Sequence, residues 1–197
     1  FCPACDRDIM ASAGAVLGVD DLDVSSGAAY QGSARDLVLA GKTGLVTATA
    51  QPLGRMLRRA VLAHPEMSAD VVLVPVPATR RAWVRRGIDP VELMVRRSNL
   101  TWARSLTWRR RPPAQKSLGG RQRRRNLTEA MRAVPLGARV LVVDDVITTG
   151  STIREAVRAL RSAGADVVGG ATALYTPGWA GRGDPSGHAD PAGVSVA

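Results

Sequence analysis

An α/β fold, an open parallel twisted sheet flanked by helices with a short cysteine-containing appendage in front, is the architecture this 197-residue sequence predicts. Three stretches carry the prediction. Val140-Leu141-Val142-Val143 is an unbroken, mostly β-branched apolar run, the composition of a strand buried on both faces. Ser151 to Ala163 places Ile153, Ala156, Val157 and Leu160 along one helical face. Val167 to Leu174 is a second apolar run. Strand, helix and strand within about 35 residues form a βαβ unit, and a crossover of that kind joins parallel strands.

From the N-terminus, residues 1–29 open on Cys2-Pro3-Ala4-Cys5 and continue in small and acidic residues, the composition of a weakly structured appendage. The domain proper is expected over residues 30–178. Apolar residues recur at helical spacing from Tyr30 to Leu62, through Leu37, Val38, Leu45, Leu53, Met56, Leu57 and Val61, with a break near Lys42-Thr43-Gly44. Val71-Val72-Leu73-Val74 reads as a buried strand that Pro75 and Pro77 turn into a loop. A helix fits near residues 89–104, and Arg109-Arg110-Arg111-Pro112-Pro113 is a break. In the helix from Ser151, Thr152 and Glu155 have capping-box spacing, and Gly164 stands where a C-terminal glycine belongs. Residues 179–197 are Gly, Pro, Ala and Asp with little to bury, and are expected to form a disordered tail.

Charge is concentrated. Of 27 Lys and Arg, 15 fall between Arg80 and Arg125, where the only acids are Asp89 and Glu92. That segment favours anionic partners, although a solvated face is the plainer account of any single arginine. Two cysteines do not make a disulfide scaffold. No apolar run approaches the ~20 residues that span a bilayer. No basic-then-apolar leader opens the chain, so a cytoplasmic protein is expected.

The stretch Val140 to Thr152 carries the chemistry. A buried strand delivers two carboxylates, Asp144 and Asp145, and Thr148-Thr149-Gly150-Ser151-Thr152 follows at a helix N-terminus. Backbone N–H groups and the helix dipole make such a terminus a site for a phosphate dianion. Gly150 permits close approach and the hydroxyls add donors. With a 5-phosphate in the loop, sugar hydroxyls fall on the acid pair, and carboxylates accept well from vicinal diols. Thr152 as a simple cap and Gly150 as a simple turn residue are the structural alternatives. The acid pair resists such an account, because two charges at the end of an apolar strand are costly without a purpose.

A β-branched run, two acids and T-T-G-S-T resemble the signature of type I phosphoribosyltransferases, which bind phosphoribosyl pyrophosphate (PRPP). Further motifs resemble the ComF branch over about residues 30–175. These are Tyr30 with Gly32, Gly41-Lys42, Val74-Pro75-Val76-Pro77, Arg80 to Gly87, and Gln115, Leu118, Arg121, Arg125 and Asn126. The resemblance implies the type I phosphoribosyltransferase fold. It assigns the ribose 2- and 3-hydroxyls to Asp144 and Asp145, and the 5-phosphate to Thr148, Thr149, Gly150, Ser151 and Thr152. Pro75, Val76, Pro77 and Ala78 with Arg81, Arg85 and Arg86 would meet the pyrophosphate. Gln115, Lys116, Arg121, Arg125 and Asn126 would belong to a flexible loop that closes to exclude water. Magnesium would accompany PRPP.

Two departures stand out. Ile88-Asp89-Pro90 replaces the family's usual Phe-Asn-Gln, so Asp89 either points away from the pyrophosphate, helps hold a metal, or weakens binding. The family usually begins with two Cys-x-x-Cys pairs that hold zinc, whereas only Cys2 and Cys5 are present, half of a tetrahedral site. Because the chain starts at Phe1, zinc is expected only if a further pair lies upstream. Gly41-Lys42-Thr43 is not a Walker A ending, since Asp36 stands where its first glycine must be. His64 and His188 lack ligands at useful spacing, and His64 before Pro65 reads as a helix-end residue.

Three functions follow. The first is transfer of the phosphoribosyl group from PRPP to an unidentified nucleophile. The second is a competence or DNA-uptake factor that binds single-stranded DNA or proteins of the competence machinery, with Trp83, Trp102 and Trp108 interleaved among arginines. Covering the apolar edge of the sheet is the alternative role for at least two of these tryptophans. The third is a PRPP sensor without catalysis.

Overall fold

The computed structural model describes residues 2–109 and 129–178. Helix α1 (Pro3–Ala11) leads into strands β1 (Ala15–Val19) and β2 (Leu22–Ala29), then helices α2 (Gly32–Lys42) and α3 (Val46–Leu62). Next come β3 (Val71–Pro75), α4 (Arg80–Arg86), α5 (Pro90–Ser98) and the short strands β4 (Leu106–Trp108) and β5 (Met131–Ala133). The chain continues through β6 (Arg139–Ile147), α6 (Ser151–Ser162) and β7 (Asp166–Tyr175).

Five strands form one sheet in the order β1-β2-β7-β6-β3. β2, β7, β6 and β3 run parallel, and β1 adds an antiparallel edge. The expected βαβ unit is present as β6, α6 and β7. Alternation along β6 explains its unbroken apolar run. Leu141 and Val143 face the layer built from α2, α3 and α5, while Val140 and Val142 face α6, and all four are fully buried. The helical spacing from Tyr30 to Leu62 resolves into α2 and α3 with the break at Thr43–Leu45.

Residues 1–29 are not an appendage. β2 pairs in parallel with β7 from Val24 to Ala29, so a domain boundary at residue 30 would cut the sheet. α1 buries Ile9 in the main core. It is tied to α3 by the Asp6–Arg55 ion pair and by Arg59, which donates to the carbonyls of Met10 and Ser12. β2 escaped the sequence reading because its inner residues, Ser25 to Ala29, are small. The reason is helix proximity: a Cβ on Gly27 would lie 2.2 Å from the Met56 carbonyl oxygen of α3. Gly27→Ala must therefore push α3 off the sheet. It should lower stability by about 1–3 kcal/mol, the usual range for overpacking. Urea denaturation checks this, and an unchanged midpoint would show that the helix yields freely.

Three local expectations also need revision. The helix near 89–104 is shorter, ending at Asn99 in a left-handed conformation (φ 55°). Thr152 is not a cap, because α6 begins one residue earlier with Gly150 as its N-cap. Glu155 turns away from the helix start and accepts from the N–H groups of Glu129 and Met131. Gly164 (φ 83°) does follow the C-cap, as expected. His64 also ends a helix. It is buried behind α3, its Nδ1 accepting from the Glu66 N–H and its Nε2 lying 3.1 Å from the Asp23 carbonyl.

Candidate functional site

β6 carries Asp144 and Asp145 at its C-terminal end, the edge at which open α/β sheets bind ligands. Asp144 Oδ1 accepts from the Asp145 N–H at 2.8 Å, and Asp145 Oδ1 from the Val146 N–H at 2.7 Å. Asp144 keeps some exposed surface while its carboxyl is enclosed by protein. That enclosure, with the charges of Asp145 and Asp89, pushes its pKa well above the usual carboxylate range. A carboxyl strained in this way gains from hydroxyl donors, and a ribose diol supplies two.

The segment Thr148–Thr152 closes over the start of α6. Gly150 sits at φ 67°, a conformation open to glycine, and no side chain caps the helix. Thr149 Oγ1 and Ser151 Oγ are 2.9 Å apart, so one hydroxyl is already partnered by the other. The result is a glycine-bent turn of backbone amides and hydroxyls at a twelve-residue helix, beginning directly after the acid pair's strand.

β3 places the second loop beside the first. Pro75 stands opposite Val143, and the Val76 N–H donates to the Val143 carbonyl at 2.9 Å. Pro75 to Ala78 therefore adjoins Asp144. Two ties shape this loop. Trp108 Nε1 donates to the Pro77 carbonyl at 2.8 Å, and the Ala78 N–H donates to Asp89 Oδ2 at 2.6 Å. Asp89 also caps α5 through the N–H groups of Val91 and Glu92. Its carboxyl is thus held by backbone donors, one of them in the Pro75–Ala78 loop itself. Burial pushes its pKa up despite these three donors.

The arginines divide. Arg86 lines a small cleft with Asp145, and its Nε is buried with no hydrogen-bond partner among the described residues. Arg85 is exposed on α4. The Arg81 side chain lies outside the described residues, as do Gln115, Lys116, Arg121, Arg125 and Asn126. Lys42 lines the same cleft as Arg86 and Asp145. The sequence signal for it was Gly41-Lys42 before the turn, which had no site role attached. Arg154, also missed, donates to the Thr149 carbonyl at 2.7 Å. Cys2 and Cys5 lie at the start of α1, where Cys2 Sγ caps the helix by accepting from the Cys5 N–H and sits 3.1 Å from Cys5 Sγ. The backbone donor lowers the Cys2 pKa.

Of the three tryptophans, two cover the sheet edge. Trp102 bridges to Leu73 of β3 and packs on the core, with Arg96 and Arg104 stacked over its ring. Trp108 packs on the opposite core. Trp83 is 55% exposed.

Comparison with known proteins agrees with this geometry. The phosphoribosyl transferase domain family matches residues 109–188. The DNA utilization protein YhgH of Escherichia coli O157:H7 is 35% identical over 130 residues, which cover 60% of this chain and 57% of YhgH. The chain thus spans little more than half the length of that curated relative. Orotate phosphoribosyltransferase of Thioalkalivibrio sulfidiphilus is 62% identical over 40 residues, 20% of this chain and 19% of that one. Adenine phosphoribosyltransferase of a Parafrankia strain is 62% identical over 37 residues, 19% of this chain and 20% of that one. No described helix is long and apolar enough to cross a membrane. With the mostly parallel sheet, the acid pair and the glycine-bent loop in place, this chain is similar to the phosphoribosyl transferase domain family over residues 109–188 and to YhgH over 130 residues.

Proposed function

We propose that the protein binds PRPP and transfers its phosphoribosyl group to a nitrogen nucleophile, releasing pyrophosphate. The bond from C1 of the ribose to the pyrophosphate oxygen breaks, a C1–N bond forms, and the nucleophile gives up a proton. The observation that carries the reading is the continuity of β6, the Thr148–Thr152 turn and α6. One element places two carboxylates and an uncapped helix start a few residues apart. The 5-phosphate takes the turn and the ribose 2- and 3-hydroxyls take Asp144 and Asp145. The Pro75–Ala78 loop, with Arg86 and Arg85, takes the pyrophosphate.

Magnesium fits as an ion that arrives with the substrate. Among the described residues no three His, Cys, Asp or Glu side chains are grouped to hold a metal. Asp144 and Asp145 are hard oxygen donors of the kind magnesium takes, and magnesium is commonly held by one or two carboxylates plus substrate phosphates. Bound there, the ion would neutralise charge on the leaving pyrophosphate. Cys2 and Cys5 offer two thiols, short of the four ligands of a structural zinc site.

Calorimetry with PRPP should show binding that strengthens when magnesium is added. A screen of amines should then find one that releases pyrophosphate. PRPP that produces no binding signal with or without magnesium would overturn the reading. Binding without pyrophosphate release from any amine would leave a sensor rather than an enzyme.

One observation favours a second reading. Trp83 stands exposed on α4 between the exposed Arg80 and Arg85, beside the even more exposed Val84. Single-stranded nucleic acid stacks on such a residue while arginines meet its backbone. Binding of that kind weakens steeply with salt.

A further inference from the structure

We infer that Arg154, held by Asp20, is a positioning residue that fixes the Thr149–Gly150 peptide so that the Gly150 N–H faces the 5-phosphate. The inference rests on the phosphate-binding reading of the Thr148–Thr152 turn. Arg154 stands in the first turn of α6 and makes two kinds of contact. Its NH1 group donates to the Thr149 carbonyl at 2.7 Å. Its Nε donates to both carboxylate oxygens of Asp20, at 2.9 and 3.0 Å. The side chain is 20% exposed, so it is held against the protein.

The consequence comes from peptide geometry. Across a trans peptide the C=O and the following N–H point in opposite directions. No cis bond occurs among the described residues. Drawing the Thr149 carbonyl towards Arg154 therefore turns the Gly150 N–H the other way, into the turn. Gly150, at φ 67°, has no Cβ to oppose rotation of this peptide, so the backbone alone does not hold it. The hydrogen bond from Arg154 supplies the restraint that glycine lacks.

Asp20 supplies the second half. It occupies the turn between β1 and β2 with φ 55°, a conformation that Asp tolerates better than most residues. Its carboxylate pairs with Nε and leaves NH1 to the carbonyl. The β1–β2 turn thus sets the orientation of an amide in the phosphate loop, although the two are 129 residues or more apart in sequence. A neighbouring pair, Arg161 with Asp21, fastens the same turn to α6.

The test uses ribose 5-phosphate as probe and the Gly150 amide as reporter, followed by nitrogen-15 NMR on the whole chain. In the unmodified protein, titration should move the Gly150 amide resonance downfield. Arg154→Gln should weaken binding about tenfold or more, as expected for a lost hydrogen bond to a charged group, and should abolish the Gly150 shift while melting stays near that of the parent. Asp20→Asn keeps the turn geometry and should show the same effect in milder form. Arg154→Lys keeps the charge but cannot make both contacts, and should not restore the shift. Full restoration by lysine would overturn the inference in favour of simple charge. So would a Gly150 shift and affinity that survive Arg154→Gln. Failure of the unmodified protein to bind ribose 5-phosphate would instead remove the phosphate-loop reading beneath it.

Discussion

Replacing Asp144 and Asp145 together with Asn should weaken PRPP binding by about 1–3 kcal/mol for each lost charge-assisted contact, while the empty protein becomes more stable at neutral pH. Both halves follow from the same geometry. The two acids sit in adjacent positions at the end of a buried strand, and burial, then Asp145, push the Asp144 pKa up. Its folded pKa lies above the unfolded value of about 3.9, so the folded state binds that proton more tightly. Stability is therefore greatest below the unfolded pKa and falls as pH rises through the folded one. Asn has no proton to lose. The variant should gain midpoint in urea at pH 7, and the gain should shrink as pH approaches about 4. Ribose hydroxyls, in contrast, lose their ionised acceptors. Single-stranded DNA should bind as before or slightly better, because negative charge is removed and the basic segment from Arg80 is untouched. Measuring PRPP and DNA on one variant separates the two readings, and undiminished PRPP affinity would refute the site assignment.

The parts of the site that were legible in the sequence are those whose local chemistry and global place agree. β6 announces itself by burial on both faces, and Thr148 to Thr152 by a glycine and hydroxyls in front of a helical period. Side chains that act at a distance were not legible. Asp89 looks like a charge beside an anion site until Ala78, Val91 and Glu92 are seen donating to it. Arg154 and Asp20 are far apart in sequence, and nothing local joins them. β2 was hidden for a packing reason. The same small residues that suggest weak structure in an isolated segment are what a strand needs where a helix crosses it closely, as at Gly27. Glu155 misled more directly, because capping-box spacing is satisfied by chance while its carboxylate serves another element.

Replacing Glu155 with Ala should be the most destabilising single change of a polar residue in the α6 layer, by about 3–5 kcal/mol, as for a buried ion pair stripped of one partner. Glu155 is 4% exposed and has every acceptor engaged. Oε1 accepts from the Met131 N–H at 2.8 Å and Oε2 from the Glu129 N–H at 3.1 Å. Arg158 donates to both oxygens, and its NH2 also reaches the Met131 carbonyl at 3.0 Å. Ala would strand two backbone donors and leave the guanidinium without its counter-charge. Because Arg158 is partly exposed, water relieves part of that loss, which favours the lower end of the range. Glu155→Gln keeps one oxygen acceptor and should lose less, about 1–3 kcal/mol. The loss has a place as well as a size. Glu129 and Met131 lead into β5, so Glu155 ties the start of that strand to α6. Hydrogen exchange at Met131 should accelerate more than at Leu141 of β6. A capping role for Glu155 makes different predictions. Thr152→Ala and Glu155→Ala would then cost similar amounts, near the 1 kcal/mol typical of a lost cap. With Gly150 as the N-cap, Thr152→Ala should be close to neutral in stability, and a Glu155→Ala loss no larger than that of Thr152→Ala would restore the capping box.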